Sequence, residues 1–61
     1  MPLVQIEILE GRNVDQKRKM VKDVTTAICE SLNCKPERVK IIIREMTKEH
    51  LADGGVLEID K

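Results

Sequence analysis

No phenylalanine, tyrosine or tryptophan occurs anywhere in this sequence. A nucleic-acid binder usually carries aromatics for base stacking, together with a basic excess. That excess is missing too, because 11 basic and 11 acidic residues leave a formal net charge of zero. No nucleic-acid partner is therefore expected. Cysteine is scarce: Cys29 and Cys34 are too few for a disulfide scaffold, and with His50 as the lone histidine no structural metal cluster is expected. No apolar run approaches the roughly 20 residues that span a bilayer, so no membrane partner is expected either. The opening segment LVQIEILE alternates and carries charge, unlike a secretory signal. Free cysteines without such a signal fit a cytoplasmic location.

Other absences narrow the chemistry. There is no Ser/His/Asp set, no C-x-x-C, no phosphate-loop glycine pattern and no H-E-x-x-H. His50 alone reads as a surface loop residue. Cys29 and Cys34 lack metal-ligand spacing and read as buried small hydrophobes. Glu7 and Glu10 fall on opposite strand faces, so they form no carboxylate pair. No metal site is called for by these spacings.

What is present is Ile, Val and Leu, in a chain that is 41% apolar over 61 residues. Residues 1–61 read as one domain. A domain this small buries only ~60% of the surface its unfolded chain exposes. With no disulfide or metal to help, association with further copies is the expected source of burial.

The pattern along the chain is α/β. Residues 3–9, LVQIEIL, alternate with Val4, Ile6 and Ile8 on one face, which predicts a strand ended by Gly11. Asn13 with Gln16 makes a capping-box pattern at a helix start, and Asp15 suits the first turn. Met20, Val21, Val24, Ala27, Ile28, Ser31 and Leu32 then supply an apolar stripe. Asn33 and the later Pro36 predict the helix end. Residues 39–45, VKIIIRE, alternate again and predict a second strand. Strand, helix and strand with short loops make a βαβ unit with parallel strands and a right-handed crossover. Asp53-Gly54-Gly55 predicts a small C-terminal hairpin. Two parallel strands under one helix leave both edges open and one face bare. A second copy extending the sheet would resolve this.

Pro2 is the unusual residue. If Met1 is removed, its nitrogen becomes a free secondary amine at a strand start. An α-amino group ordinarily titrates near ~7.7–8.0, and a ring amine is more basic still. Cations and apolar surroundings favour its neutral form, which brings it into the range useful for a general base. Residue type alone favours a plain strand start, where proline costs no ladder bond. While Met1 remains attached, the Pro2 nitrogen is an amide without a basic lone pair. Arg12, between Gly11 and the helix cap, suits bidentate binding of a carboxylate. Alternation places Arg38 and Lys40 on one face of the second strand, where a shared cleft could receive them. All three cations also fit a solvated surface.

Taken together, P-L-V-Q-I-E-I-L-E-G-R at 2–12, N-V-D-Q-K at 13–17, I-I-I-R-E-M at 41–46 and H-L-A-D-G-G at 50–55 resemble the 4-oxalocrotonate tautomerase family over nearly the whole chain. The resemblance implies a βαβ subunit with a short C-terminal hairpin, two subunits forming a four-stranded sheet, and three such dimers forming a homohexamer. It implies an isomerase of aromatic-compound breakdown that needs no cofactor. Pro2 would be the catalytic base for an enol or keto acid substrate. Arg12 would hold a distal carboxylate, and sites would draw on more than one subunit. Two positions depart from the family pattern. Lys40 stands where a second-strand arginine is usual, with Arg38 as a substitute. Leu51 stands where an aromatic follows the histidine, and would line the pocket instead. The expected reaction is 2-hydroxymuconate to 2-oxohexenedioate or similar. A phenylpyruvate-type tautomerase and a non-catalytic self-assembling paralogue are the alternatives; hydration of an unsaturated acid lacks an evident carboxylate to activate water.

Overall fold

The computed structural model describes residues 1–61. Strand β1 runs Leu3–Leu9, helix α1 Val14–Leu32 and strand β2 Lys40–Met46. A short hairpin of β3 (Ala52–Asp53) and β4 (Val56–Leu57) follows. Single 3-10 turns occupy Pro36–Arg38, Lys48–His50 and Glu58–Asp60.

β1 and β2 pair in parallel, in register from Leu3 opposite Lys40 to Leu9 opposite Met46. One bond extends the ladder at each end. The Lys40 N–H donates to the Pro2 carbonyl at 3.0 Å, and the Glu10 N–H donates to the Met46 carbonyl at 2.8 Å. Because side chains alternate, Val4, Ile6 and Ile8 share a face with Ile41 and Ile43, and these are half-buried. Lys17 of α1 reaches Glu45 on that same face, which marks it as the helix-covered one. Leu3, Gln5 and Glu7 lie on the other face with Lys40, Ile42 and Arg44, and all six are exposed.

The helix forms where its caps allow. The Asn13 side chain accepts the Gln16 N–H at 2.8 Å, and the Gln16 side chain accepts the Asn13 N–H at 3.0 Å. Two otherwise unpaired donors at the helix start are thereby satisfied. Asn33 closes the helix in a left-handed conformation (φ 54°, ψ 53°), which asparagine tolerates better than most residues. Along the stripe, Met20, Val21, Val24 and Ile28 are half-buried as the spacing predicts. Ala27, Ser31 and Leu32 are exposed instead, Leu32 by 63%.

β2 begins one residue later than its hydrophobic alternation suggests. Pro36 starts the turn Pro36–Arg38, and the Arg38 N–H bonds to the Lys35 carbonyl at 3.0 Å. Arg38 therefore belongs to that turn, not to a strand, so alternation does not place it on the face of Lys40. Gly54 and Gly55 turn the hairpin with φ of 58° and 85°, values for which glycine has no steric cost.

No residue of the subunit is fully buried. The body is flat, 43 × 24 × 13 Å, with Leu3, Ile42, Val56, Leu57 and Ile59 standing out from it. No helix is long and apolar enough to cross a membrane.

Candidate active site

The sequence-predicted residues fall into two groups, one at each end of β1. Pro2 sits just before β1, half-buried, its carbonyl tied to the Lys40 N–H at 3.0 Å. Lys40 opens β2 opposite Leu3 and is exposed. Arg38 is exposed in the turn two residues earlier. Parallel pairing thus brings Pro2 and a lysine to the same end of the sheet, with a second cation nearby. Met1 is 78% exposed.

Arg12 lies at the opposite end. Gly11 has φ 121°, in a region that side chains rarely adopt, and this swings the chain from β1 towards the cap of α1. Arg12 follows it, exposed, with Nη1 donating to the Leu9 carbonyl at 3.3 Å. Its remaining donors are free for an anion. Leu51 is half-buried a few residues past the end of β2, and its carbonyl accepts the Glu58 N–H at 2.8 Å. That bond seats the start of the hairpin.

β1 is seven residues long. At about 3.3 Å of rise per residue, it holds Pro2 and Arg12 roughly 20 Å apart. A small dicarboxylic acid cannot touch both within one subunit.

His50 is exposed in the Lys48–His50 turn, and no cluster of three or more His, Cys, Asp or Glu side chains occurs. An open groove of about 470 Å³ runs along α1, lined by Val21, Thr25, Cys29 and Pro36 among others; it includes neither Pro2 nor Arg12. Sequence reasoning gave no role to Thr47. Its hydroxyl oxygen is buried and unpartnered just before the Lys48–His50 turn, which it does not cap. A threonine after a strand carries no distinguishing signal. The backbone bond from the Cys34 N–H to the Cys29 carbonyl, at 3.3 Å, also went unread, since the spacing of the two cysteines fits no metal pattern.

The Pro2 end thus carries the positive charge of Lys40 and Arg38, and the Arg12 end an exposed guanidinium. A family model described as tautomerase enzyme matches residues 2–58. A 2-hydroxymuconate tautomerase of Pseudomonas putida is 47% identical over 57 residues, covering 93% of this chain and 90% of the relative. The structure of YwhB, a homologue of 4-oxalocrotonate tautomerase, superposes with a TM-score of 0.94 at 38% identity, covering 98% of each chain. A heterohexameric 4-oxalocrotonate tautomerase from Chloroflexus aurantiacus superposes with a TM-score of 0.93 at 28% identity, covering 98% of this chain and 97% of that one.

Proposed function

The chain belongs to the tautomerase enzyme family, and on that premise we propose that it interconverts the enol and keto forms of a 2-hydroxydienoic acid, with Pro2 as the base. The preferred substrate in this reading is 2-hydroxymuconate, the compound in the name of its Pseudomonas putida relative. The observation that carries the proposal is Pro2 itself, half-buried at the open end of β1 and hydrogen-bonded through its carbonyl to Lys40.

Loss of Met1 gives Pro2 a lone pair. The neutral amine takes the proton of the substrate's 2-hydroxyl group. The electron pair left on oxygen forms the carbonyl, and the diene electrons shift outward to carbon. The prolinium then delivers its proton to that carbon, restoring the amine, so no cofactor is consumed. Lys40 faces the developing oxyanion, where a fixed charge supplies a large share of catalysis. A lysine offers a point charge instead of arginine's two-pronged fork, and Arg38 adds a second charge from the preceding turn.

Arg12 and Leu51 complete the site from neighbouring subunits. The roughly 20 Å length of β1 keeps Arg12 from serving its own Pro2. The absence of any fully buried residue supports assembly, as does the hexameric state of the Chloroflexus aurantiacus relative. A homohexamer, built as three dimers with four-stranded sheets, fits this requirement. The free thiols of Cys29 and Cys34 suit a reducing cytoplasm.

Lys40 and Leu51 favour a second reading. One fewer fork and no aromatic wall reshape the pocket, which suits a monocarboxylate enol of the phenylpyruvate type. Ketonisation of 2-hydroxymuconate, followed by absorbance with protein whose intact mass lacks Met1, tests the first reading. Turnover faster than for phenylenolpyruvate supports it; the reverse order selects the second. No acceleration of either enol by a correctly assembled protein overturns both, and leaves a non-catalytic paralogue.

A further inference from the structure

Cys29 and Cys34 serve neither the sheet nor the chemistry above, yet the fold brings them together. Cys29 lies in the last turns of α1, and Asn33 then reverses the chain. The N–H groups of Asn33 and Cys34 both return to the Cys29 carbonyl, the second at 3.3 Å. A helix end of this kind sets the residue after the cap against the one five positions earlier. Ordinary backbone dimensions then keep the two Cα atoms within about 7 Å, close to the roughly 4.4–6.8 Å that a disulfide spans.

The side chains agree with the backbone. Both cysteines are half-buried. The Cys34 thiol lies near that of Cys29, and Cys29 lines the open groove beside α1, where a small oxidant has access. Burial pushes the Cys29 thiol up, and Cys34, Glu37 and Glu30 add to the rise, so Cys29 rests as a thiol.

We propose that Cys29 and Cys34 form a redox modification site, a dithiol that a peroxide-class oxidant converts to an intramolecular disulfide across the C-terminal cap of α1. One sulfur, as thiolate, attacks a peroxide oxygen. The O–O bond breaks, one water leaves after taking up a proton, and a sulfenic acid remains. The second sulfur attacks the sulfenic sulfur and expels hydroxide, which leaves as water with the second thiol proton. Two S–H bonds and one O–O bond are lost; one S–S bond and two waters are gained. A small-molecule dithiol reverses the change. The bond ties the end of α1 to the segment leading into the Pro36–Arg38 turn and β2.

The test uses the full chain, fully reduced and then exposed to hydrogen peroxide. The expected product has lost two hydrogens of mass, takes up no iodoacetamide, and regains two alkylation sites after dithiothreitol. Peptide mapping joins Cys29 to Cys34 in one chain. Cys29→Ser and Cys34→Ser each abolish that product. The folded protein forms the bond at least several-fold faster than the same chain in urea. Equal rates in the two states would show that the fold does not pair the thiols and would overturn the proposal. So would two thiols still alkylatable after peroxide, or disulfides found only between chains. None of these readouts depends on Pro2 or on enol substrates.

Discussion

Pro2 is a base only as an N-terminal residue, so its role is separable from its place in the fold. Pro2→Ala, with Met1 removed, leaves the strand start intact and offers a primary amine in place of the ring nitrogen. Its kcat on 2-hydroxymuconate is expected to fall about 10²–10⁴-fold, the usual share of a positioned base. An unchanged circular dichroism spectrum confirms that chemistry alone is lost; an undiminished kcat removes Pro2 from the mechanism. Arg12 asks for a different readout. Arg12→Ala should raise KM for a dicarboxylate much more than for a monocarboxylate, because the lost partner is the second carboxylate. Equal effects on both substrates would place Arg12 outside the site. For Lys40, the informative change is to arginine. If Lys40 faces the oxyanion, Lys40→Arg keeps kcat within about tenfold, whereas Lys40→Ala costs about 10²–10³-fold, the range for removing one oxyanion-stabilising donor. Equal losses in the two variants would mean that charge at this position is not what matters.

At the scale of elements, α1 depends on its two ends. Asn13→Ala removes the side-chain acceptor for the Gln16 N–H. It should cost about 1 kcal/mol, seen as a lower urea midpoint at fixed protein concentration. An unchanged midpoint would mean that the helix end is held by assembly contacts and not by its cap. Both ends of this helix were legible in the sequence, because caps are local chemistry: Asn13 with Gln16 at the start, Asn33 before Pro36 at the end. β1 was legible for a related reason, since Val4, Ile6 and Ile8 alternate without interruption up to Gly11. β2 was less so. Val39 continues the apolar alternation, but its N–H bonds back to Pro36 within the 3-10 turn. The ladder begins only where the Lys40 N–H meets Pro2. Side-chain pattern reports which face is apolar; it does not report which backbone groups a proline turn has already engaged. Arg38 was misplaced on that account. The contact of Cys29 with Cys34 was hidden for another reason: it arises from the left-handed Asn33, a backbone event that residue spacing does not encode.

For the molecule as a whole, the governing fact is that 61 residues fold with none fully buried. Burial of apolar area is the main favourable term in folding, about 25 cal/mol per Å², and a plate 13 Å thick has little interior in which to collect it. The proposed assembly would cover the open sheet face, where Ile42 is 40% exposed and Leu3 51% exposed. Ile42→Glu places a charge there. Light scattering should then report species smaller than the wild-type oligomer, with a lower thermal midpoint that depends on protein concentration. A variant with wild-type mass and midpoint would show that this face is not the one covered. Composition led to the expectation of partners, since the chain has no aromatics and too few cysteines for a disulfide scaffold to compensate for its size. The arrangement of partners was not readable, because self-complementary surfaces are a property of the folded shape.

The length of β1 has a consequence for inheritance as well as for chemistry. If Pro2 and Arg12 meet only across subunits, a chain damaged at one residue still carries the other in working order. Mixing Pro2→Ala subunits with Arg12→Ala subunits, each impaired alone, would reassemble some sites from two sound halves. Two defective alleles expressed together would then complement each other, whereas two substitutions on one chain would spoil the sites at both of its ends.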